Sequence, residues 1–216
     1  MKRPLKHDHF TDRLAAALKK DLPGTGVQWE MASSDRKVKD YPRKKRSDSK
    51  MAAVLILLYP HDDSLYTVFI ERPVYKGVHS GQISFPGGKM ELTDANLLET
   101  AVRETCEETG LCNDQLKILG KLTALYIPVS NTEVSPYVAF CHHKPQWKVN
   151  KDEVVSLIEA PLMDFFDKEM LKGKNMTVRN ELLRVKYYDF KGRVIWGATA
   201  MMLHELLALI KREGLL

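Results

Sequence analysis

Residues 85–111 read FPGGKMELTDANLLETAVRETCEETGL, and the fold is decided there. From Asn96 to Thr109 the pattern is helical, with Asn96 and Glu99 spaced as a capping box and Gly110 as a C-terminal stop. Glu104, Glu107 and Glu108 stand at i, i+3 and i+4, so their side chains leave one face of the helix with Cβ atoms about 5–6 Å apart. Leu97, Leu98, Ala101, Val102 and Thr105 occupy much of the rest and are expected to pack on a sheet. Each close carboxylate pair costs roughly 1 kcal/mol in water and about 4 at an intermediate dielectric. Arg103, on a neighbouring face, offsets only part of this. A hard divalent cation with oxygen ligands offsets the rest, and such a cation also polarises phosphoryl oxygens and acidifies water. Gly87 and Gly88, just upstream, permit a tight bend and close backbone approach. A glycine turn against a carboxylate helix reads as a diphosphate-plus-metal site, whereas a solvated acidic face would not need the glycines.

Outward from this stretch, the chain alternates strands and helices. MAAVLILLY (51–59) is a continuous apolar run, as expected of a strand buried on both faces. HDDS (61–64) is a turn and LYTVFIE (65–71) a second strand. Residues 72–88, with four Gly and two Pro, read as a loop. Residues 115–127, 134–142 and 183–187 read as strands, with Lys191-Gly192 as a hairpin turn. Residues 197–212 form a closing helix, apolar nearly all round, with Lys211 and Arg212 at its C-terminal end. Upstream, residues 8–20 read as a short amphipathic helix with Phe10, Leu14, Ala17 and Leu18 on one face, ended by LPGTG (22–26). Residues 27–50 read as an irregular polar and basic arm. The expected organisation is an N-terminal helix and arm over 1–50, packed on a main domain over 51–216. The expected class is α/β (α+β), a layered sandwich.

Composition bounds the function. The chain has 216 residues, 44% apolar and 28% charged, which suits one domain with an appendage. Of the net charge of +5, the segment 36–50 alone carries +6, with eight Lys/Arg and two Asp. The other residues sum to −1, so this is not a uniformly basic nucleic-acid binder. That basic run reads as a solvated arm. It lacks interleaved aromatics apart from Tyr41, which argues against RNA, and anionic lipid or a substrate phosphate are the other uses weighed for it. Three cysteines (Cys106, Cys112, Cys141) without a CxxC point to a reducing compartment and no structural zinc. No apolar run spans a bilayer and the N-terminus lacks a signal h-region, so a cytoplasmic protein is expected. Trp29, Trp147 and Trp196 read as packing groups, and His142-His143 is given no role.

Gly88 to Leu111 resembles the Nudix box, G-x5-E-x7-R-E-U-x-E-E-x-G-U with U aliphatic, at Gly88, Arg103, Glu104, Glu107, Glu108, Gly110 and Leu111. The interval from Gly88 to Arg103 is one residue longer than the pattern, so the first acidic position falls on Asp94 or Ala95, and the first U position is Thr105. Residues 72–88 (RPVYKGVHSGQISFPGG) are similar to the additional motif of the coenzyme A pyrophosphatase branch at Arg72, Gly81, Phe85, Pro86, Gly87 and Gly88. The second Arg of that motif falls on Gly77, beside Lys76. WGATA (196–200) matches the start of that branch's final helix, and the resemblance spans roughly residues 51–210.

The resemblance implies a Nudix-type α/β/α sandwich with a mixed sheet. It implies a pyrophosphohydrolase with Mg²⁺ or Mn²⁺ on Glu104, Glu107 and Glu108, and a small-molecule nucleoside diphosphate derivative as substrate. Glu107, Glu108 and Arg103 are the expected catalytic residues, Arg103 chiefly by orienting the carboxylates. Arg72, Lys76, Gly87, Gly88 and Lys89 are the expected substrate contacts, with His79 weighed as a further cation. Glu153 is the downstream acidic residue considered as a contributor. Coenzyme A or its thioesters is the expected substrate. The alternatives are another nucleotide (ADP-ribose, NADH, a dinucleotide or a nucleoside triphosphate) or a non-catalytic Nudix module that binds nucleotide or RNA. A homodimer is left open.

Overall fold

The computed structural model describes residues 6–33, 46–74, 81–178 and 181–216. The central strand β1 (Lys50–His61) runs beside β2 (Ser64–Glu71), and Asp62 and Asp63 make the turn between them at φ 45° and 57°. Two short strands follow in the stretch expected to be loop: β3 (Ile83–Ser84) on β2 and β4 (Gly87–Lys89) on β1. After the carboxylate helix come β5 (Lys117–Lys121), β6 (Leu125–Ile127), β7 (Thr132–Phe140) and β8 (Ser156–Pro161). The main path is β3-β2-β1-β7-β5, with β4 on β1, β6 on β7 and β8 on β2. β1 and β7 are parallel and the other pairs antiparallel, so the sheet is mixed. The hairpin β9 (Leu171–Val178) and β10 (Glu181–Phe190) joins β11 (Arg193–Trp196) in a second, three-stranded sheet.

The period of two along β1 sorts its apolar run into two cores. Ala52, Val54, Ile56 and Leu58 face one way, into a cluster with Phe10, Leu14 and Leu18. Met201, Met202 and Leu206 of the closing helix complete it. Ala53, Leu55, Leu57 and Tyr59 face the other way, onto Ala101 of the carboxylate helix and Leu111 just beyond its end. Both faces are covered, which is why the run carries no polar residue. The helices are α1 (Lys6–Ala17), α2 (Gly24–Trp29), α3 (Leu97–Thr109) and α4 (Gly197–Arg212), with α3 alone on its face and the others opposite. This is an α/β/α sandwich around a mixed sheet.

Four expectations are corrected. Residues 24–29 are helical, where a breaking turn to Gly26 and an irregular arm from residue 27 were expected; Gln28 is buried and bonds the Thr123 carbonyl and Glu205 across the molecule. The span 115–127 is two strands, parted where the Leu122 amide turns to the Pro136 carbonyl. Leu98 and Val102 are half-exposed and join neither core cluster, whereas Ala101 is buried on the sheet and Leu97 packs partly buried beside it. Cys106 and Cys112 are joined in a disulfide, while Cys141 is free and buried. The loop part carrying Lys76, Gly77 and His79, and the arm over 36–45, lie outside the described residues. Among the described residues no helix is long and apolar enough to cross a membrane.

Candidate active site

The ends of α3 are set by its own sequence. Asn96 Oδ1 accepts from the amides of Leu98 (3.0 Å) and Glu99 (3.1 Å). Glu99 reaches back to the Ala95 amide (2.9 Å), so the capping box closes one residue upstream of its usual partner. Gly110 stops the helix at φ 77°, donating to the Cys106 carbonyl (2.8 Å). The returning chain is then tied to that end: the Lys148 amide donates to the Thr109 carbonyl (2.8 Å) and the Asn150 amide to the Glu108 carbonyl (3.1 Å).

The glycine turn meets the carboxylates edge-on. Gly87 sits at φ 144°, and a Cβ there would overlap the Ala53 carbonyl and Val54. A Cβ on Gly88 would overlap the Glu104 carboxylate itself. Gly87 is therefore required by its close approach to the β1 backbone, while at Gly88 it is the Glu104 carboxylate that closes in from α3.

Arg103 organises the acidic groups. Its Nε and Nη2 grip Asp94 at 2.8 and 3.0 Å, and Nη2 also donates to the Lys89 carbonyl (3.2 Å). Nη1 lies between Glu104 (3.2 Å) and Glu107 (3.0 Å). Asp94 is buried and also accepts from Thr100 Oγ1 and the Glu91 amide, both at 2.9 Å. The Arg103 hydrogen bonds hold its carboxyl far below the usual carboxylate range. Asp94, not Ala95, is thus the acidic partner at the start of the motif. Neither alternative could be preferred by counting residues, because the extra residue sits in the loop before α3.

The three glutamates do not share one environment. Glu108 is 1% exposed; its Oε2 accepts from the Gly87 amide (2.8 Å) and its Oε1 pairs with Arg72 (3.3 Å). Burial pushes it up to about 7, against the opposing pull of Arg72 and the Gly87 amide, while the charges of Glu104 and Glu153 add to the rise. Glu104 is half-buried and is also raised by burial, with Arg103 opposing. Glu107 is exposed. Arg72 also donates to Ser84 Oγ (3.1 Å) and the Gly87 carbonyl (2.7 Å), so its guanidinium braces the turn. Lys89 is exposed at the end of β4. Ser84 and Asn150, which brace the site, drew no notice in the sequence because their roles depend on pairing across strands.

Among the described residues no three His, Cys, Asp or Glu side chains are drawn close enough to hold a metal as they stand. The donor set nevertheless suits a hard cation: all-oxygen ligands, one buried and one half-buried, both raised by burial. A cationic nitrogen, Arg103 Nη1, already sits between Glu104 and Glu107.

The NUDIX domain model matches residues 49–183. The uncharacterized Nudix hydrolase NudL of Pectobacterium atrosepticum is 32% identical over 159 residues, covering 73% of this chain and 81% of that one. Its namesake in Salmonella dublin is 30% identical over 164 residues, covering 75% and 83%. Among solved structures, the M. Smegmatis Nudix hydrolase RenU aligns with a TM-score of 0.48 at 14% identity, over 76% of this chain and 86% of that one. A C. elegans Ap4A hydrolase gives 0.46 at 18%, over 53% and 83%. These structural scores carry nothing about substrate. The matched family model and the NudL relatives, together with the arginine-bound carboxylate helix closed on its glycine turn, place the chain in the Nudix hydrolase family.

Proposed function

We propose that the protein is a divalent-metal-dependent diphosphatase whose substrate is coenzyme A or one of its thioesters, cleaved to 4′-phosphopantetheine and adenosine 3′,5′-bisphosphate. The observation that carries the catalytic part is Glu108, a buried carboxyl poised near neutrality between the Gly87 amide and Arg72, one helical turn from Glu104. The coenzyme A assignment rests on the resemblance of residues 72–88 and 196–200 to that branch.

Bound Mg²⁺ or Mn²⁺ supplies neutralisation of the diphosphate oxygens and a more acidic water. Glu104, Glu107 and Glu108 are the residues that would hold it. Asp94 fixes the guanidinium of Arg103, which in turn holds Glu104 and Glu107 in place. Arg72 steadies the Gly87 carbonyl and Glu108 together, so turn and helix keep their spacing when substrate enters. Gly88, having no Cβ, lets the Glu104 carboxylate lie directly against β4. Preorganised charge of this kind accounts for most of the rate in phosphoryl transfer.

The test is incubation of the full chain with Mg²⁺ and, separately, coenzyme A, ADP-ribose, NADH and nucleoside triphosphates, with products identified by mass. The proposal expects 4′-phosphopantetheine and the bisphosphate as the fastest-formed products. Preference for another diphosphate would overturn the substrate but not the chemistry, and inertness toward all of them would overturn both.

A further inference from the structure

We infer that the Cys106–Cys112 bridge is a thiol–disulfide exchange site, at which a low-molecular-weight thiol sets the order of the carboxylate turn. The bridge joins the last turn of α3 to the second residue beyond its Gly110 cap, with Cα atoms 4.6 Å apart. The ring it closes contains Glu107 and Glu108, two of the three glutamates assigned to the metal. No other covalent link constrains this turn among the described residues.

Access to the bridge is open. Cys106 and Cys112 are half-buried and line a groove of about 620 Å³ on the outer side of α3. Leu98 and Val102 form its apolar part, and Asn96, Glu99 and Asn113 its polar part. The half-exposed Leu98 and Val102, left over from packing on the sheet, thus have a use. Asp94 and Arg103, which hold Glu104 and Glu107, line the same groove. Cys141 is buried and serves as an internal control. A groove of this size admits a small thiol, while the third cysteine is closed to it.

The exchange is balanced. The thiolate of the small thiol attacks one Sγ, the S–S bond breaks, and its electron pair leaves with the other Sγ, which takes a proton. A second small thiol resolves the mixed disulfide. The net result is two cysteine thiols and one small-molecule disulfide, and that disulfide is the oxidant for the reverse reaction. Opening the ring leaves Glu108 held by the Gly87 amide, Arg72 and the Asn150 amide. Glu107 is exposed and held through Arg103, so the loss of order falls mainly on Glu107. The effect is therefore on metal affinity more than on the bond-breaking step. This coupling rests on the metal role proposed above; the exchange itself does not.

The experiment equilibrates the full chain in mixtures of reduced and oxidised glutathione. Three quantities are followed: alkylated thiols by mass, Mn²⁺ binding by electron paramagnetic resonance, and the thermal midpoint. Reduction is expected to add two alkyl groups on Cys106 and Cys112 and none on Cys141, to weaken Mn²⁺ binding about tenfold, and to lower the midpoint. The double variant Cys106→Ser/Cys112→Ser should show the Mn²⁺ affinity and thermal midpoint of the reduced form at every glutathione ratio. Equal alkylation in both mixtures would overturn the exchange site. Changed alkylation with unchanged Mn²⁺ binding would overturn its coupling to the carboxylates. Mn²⁺ binding to neither form would contradict the metal reading instead, and the alkylation count and midpoint would then decide the exchange site by themselves.

Discussion

Two buried glutamates on opposite sides of the sheet have opposite surroundings. Glu205, in the middle of α4, is 0% exposed and accepts hydrogen bonds from Gln28 Nε2 (2.7 Å), Thr123 Oγ1 (2.6 Å), the Thr123 amide (3.3 Å) and the Gly24 amide (3.1 Å). Those donors come from the two ends of α2 and from the turn after β5, so the carboxylate ties both segments to α4. Glu108, on α3, has one amide at 2.8 Å and one arginine at 3.3 Å, and burial drives its carboxyl toward the protonated form. A carboxylate saturated with neutral donors is a structural joint. One buried with too few partners is held ready for a further cation, at a cost in stability.

That contrast can be tested by mutating each side. The largest effect is expected for Glu108→Gln or Glu107→Gln, with loss of diphosphate hydrolysis by about 10²–10³-fold and an unchanged circular dichroism spectrum. Glu205→Leu should do the reverse. It strands the donors around it and lowers unfolding free energy by roughly 3 kcal/mol, while activity per folded molecule, measured below the melting range, is retained. If instead Glu205→Leu removed activity in a folded protein, the division between joint and site would fail.

The pH dependence of stability tests Glu108 directly. Glu108 has a folded value raised from 4.5 to about 7, so the folded state binds the extra proton between those limits. Its contribution to stability is present in full below about pH 4.5 and is lost as pH rises through about 7, a change of about 3 kcal/mol at most. Denaturant melts of metal-free protein from pH 5 to 8 should show this decline, and Glu108→Gln should flatten it. The smallest effect is expected at the cysteines. Replacing Cys106 and Cys112 together by alanine should lower stability by about 2 kcal/mol through lost loop closure, read as a lower urea midpoint.

Much of this was legible from residue order alone. The apolar run at 51–59 reads as a strand covered on both faces, and β1 is one. The closing helix begins at Gly197 and ends at Arg212, as its polarity and terminal cations indicate. Asn96 and Gly110 bound α3 because capping is local chemistry. What escaped was nonlocal. α2 looks like a broken arm because Pro23, Gly24 and Gly26 disfavour helix, and it is held by Gln28 reaching a residue 177 positions away. β8 acquires its register only against β2, and Ser156–Pro161 alternates too weakly to announce it. In the site, spacing put the three glutamates on one turn but could not show their division, with Glu108 drawn down to Arg72 and Glu104 and Glu107 drawn out to Arg103. Three cysteines without a CxxC pointed to a reducing compartment, and the Cys106–Cys112 bridge depends on α3 ending at Gly110, which brings the two residues together.

The most direct measurement is calorimetric titration of the metal-depleted chain with Mn²⁺ near pH 7, repeated in buffers of different ionisation heat. The account predicts saturable binding accompanied by proton release, because the cation displaces the proton that Glu108 partly retains there. It further predicts that the proton release disappears in Glu108→Gln and that affinity collapses in Glu107→Gln. No binding at millimolar Mn²⁺, or binding that both variants leave untouched, would contradict it.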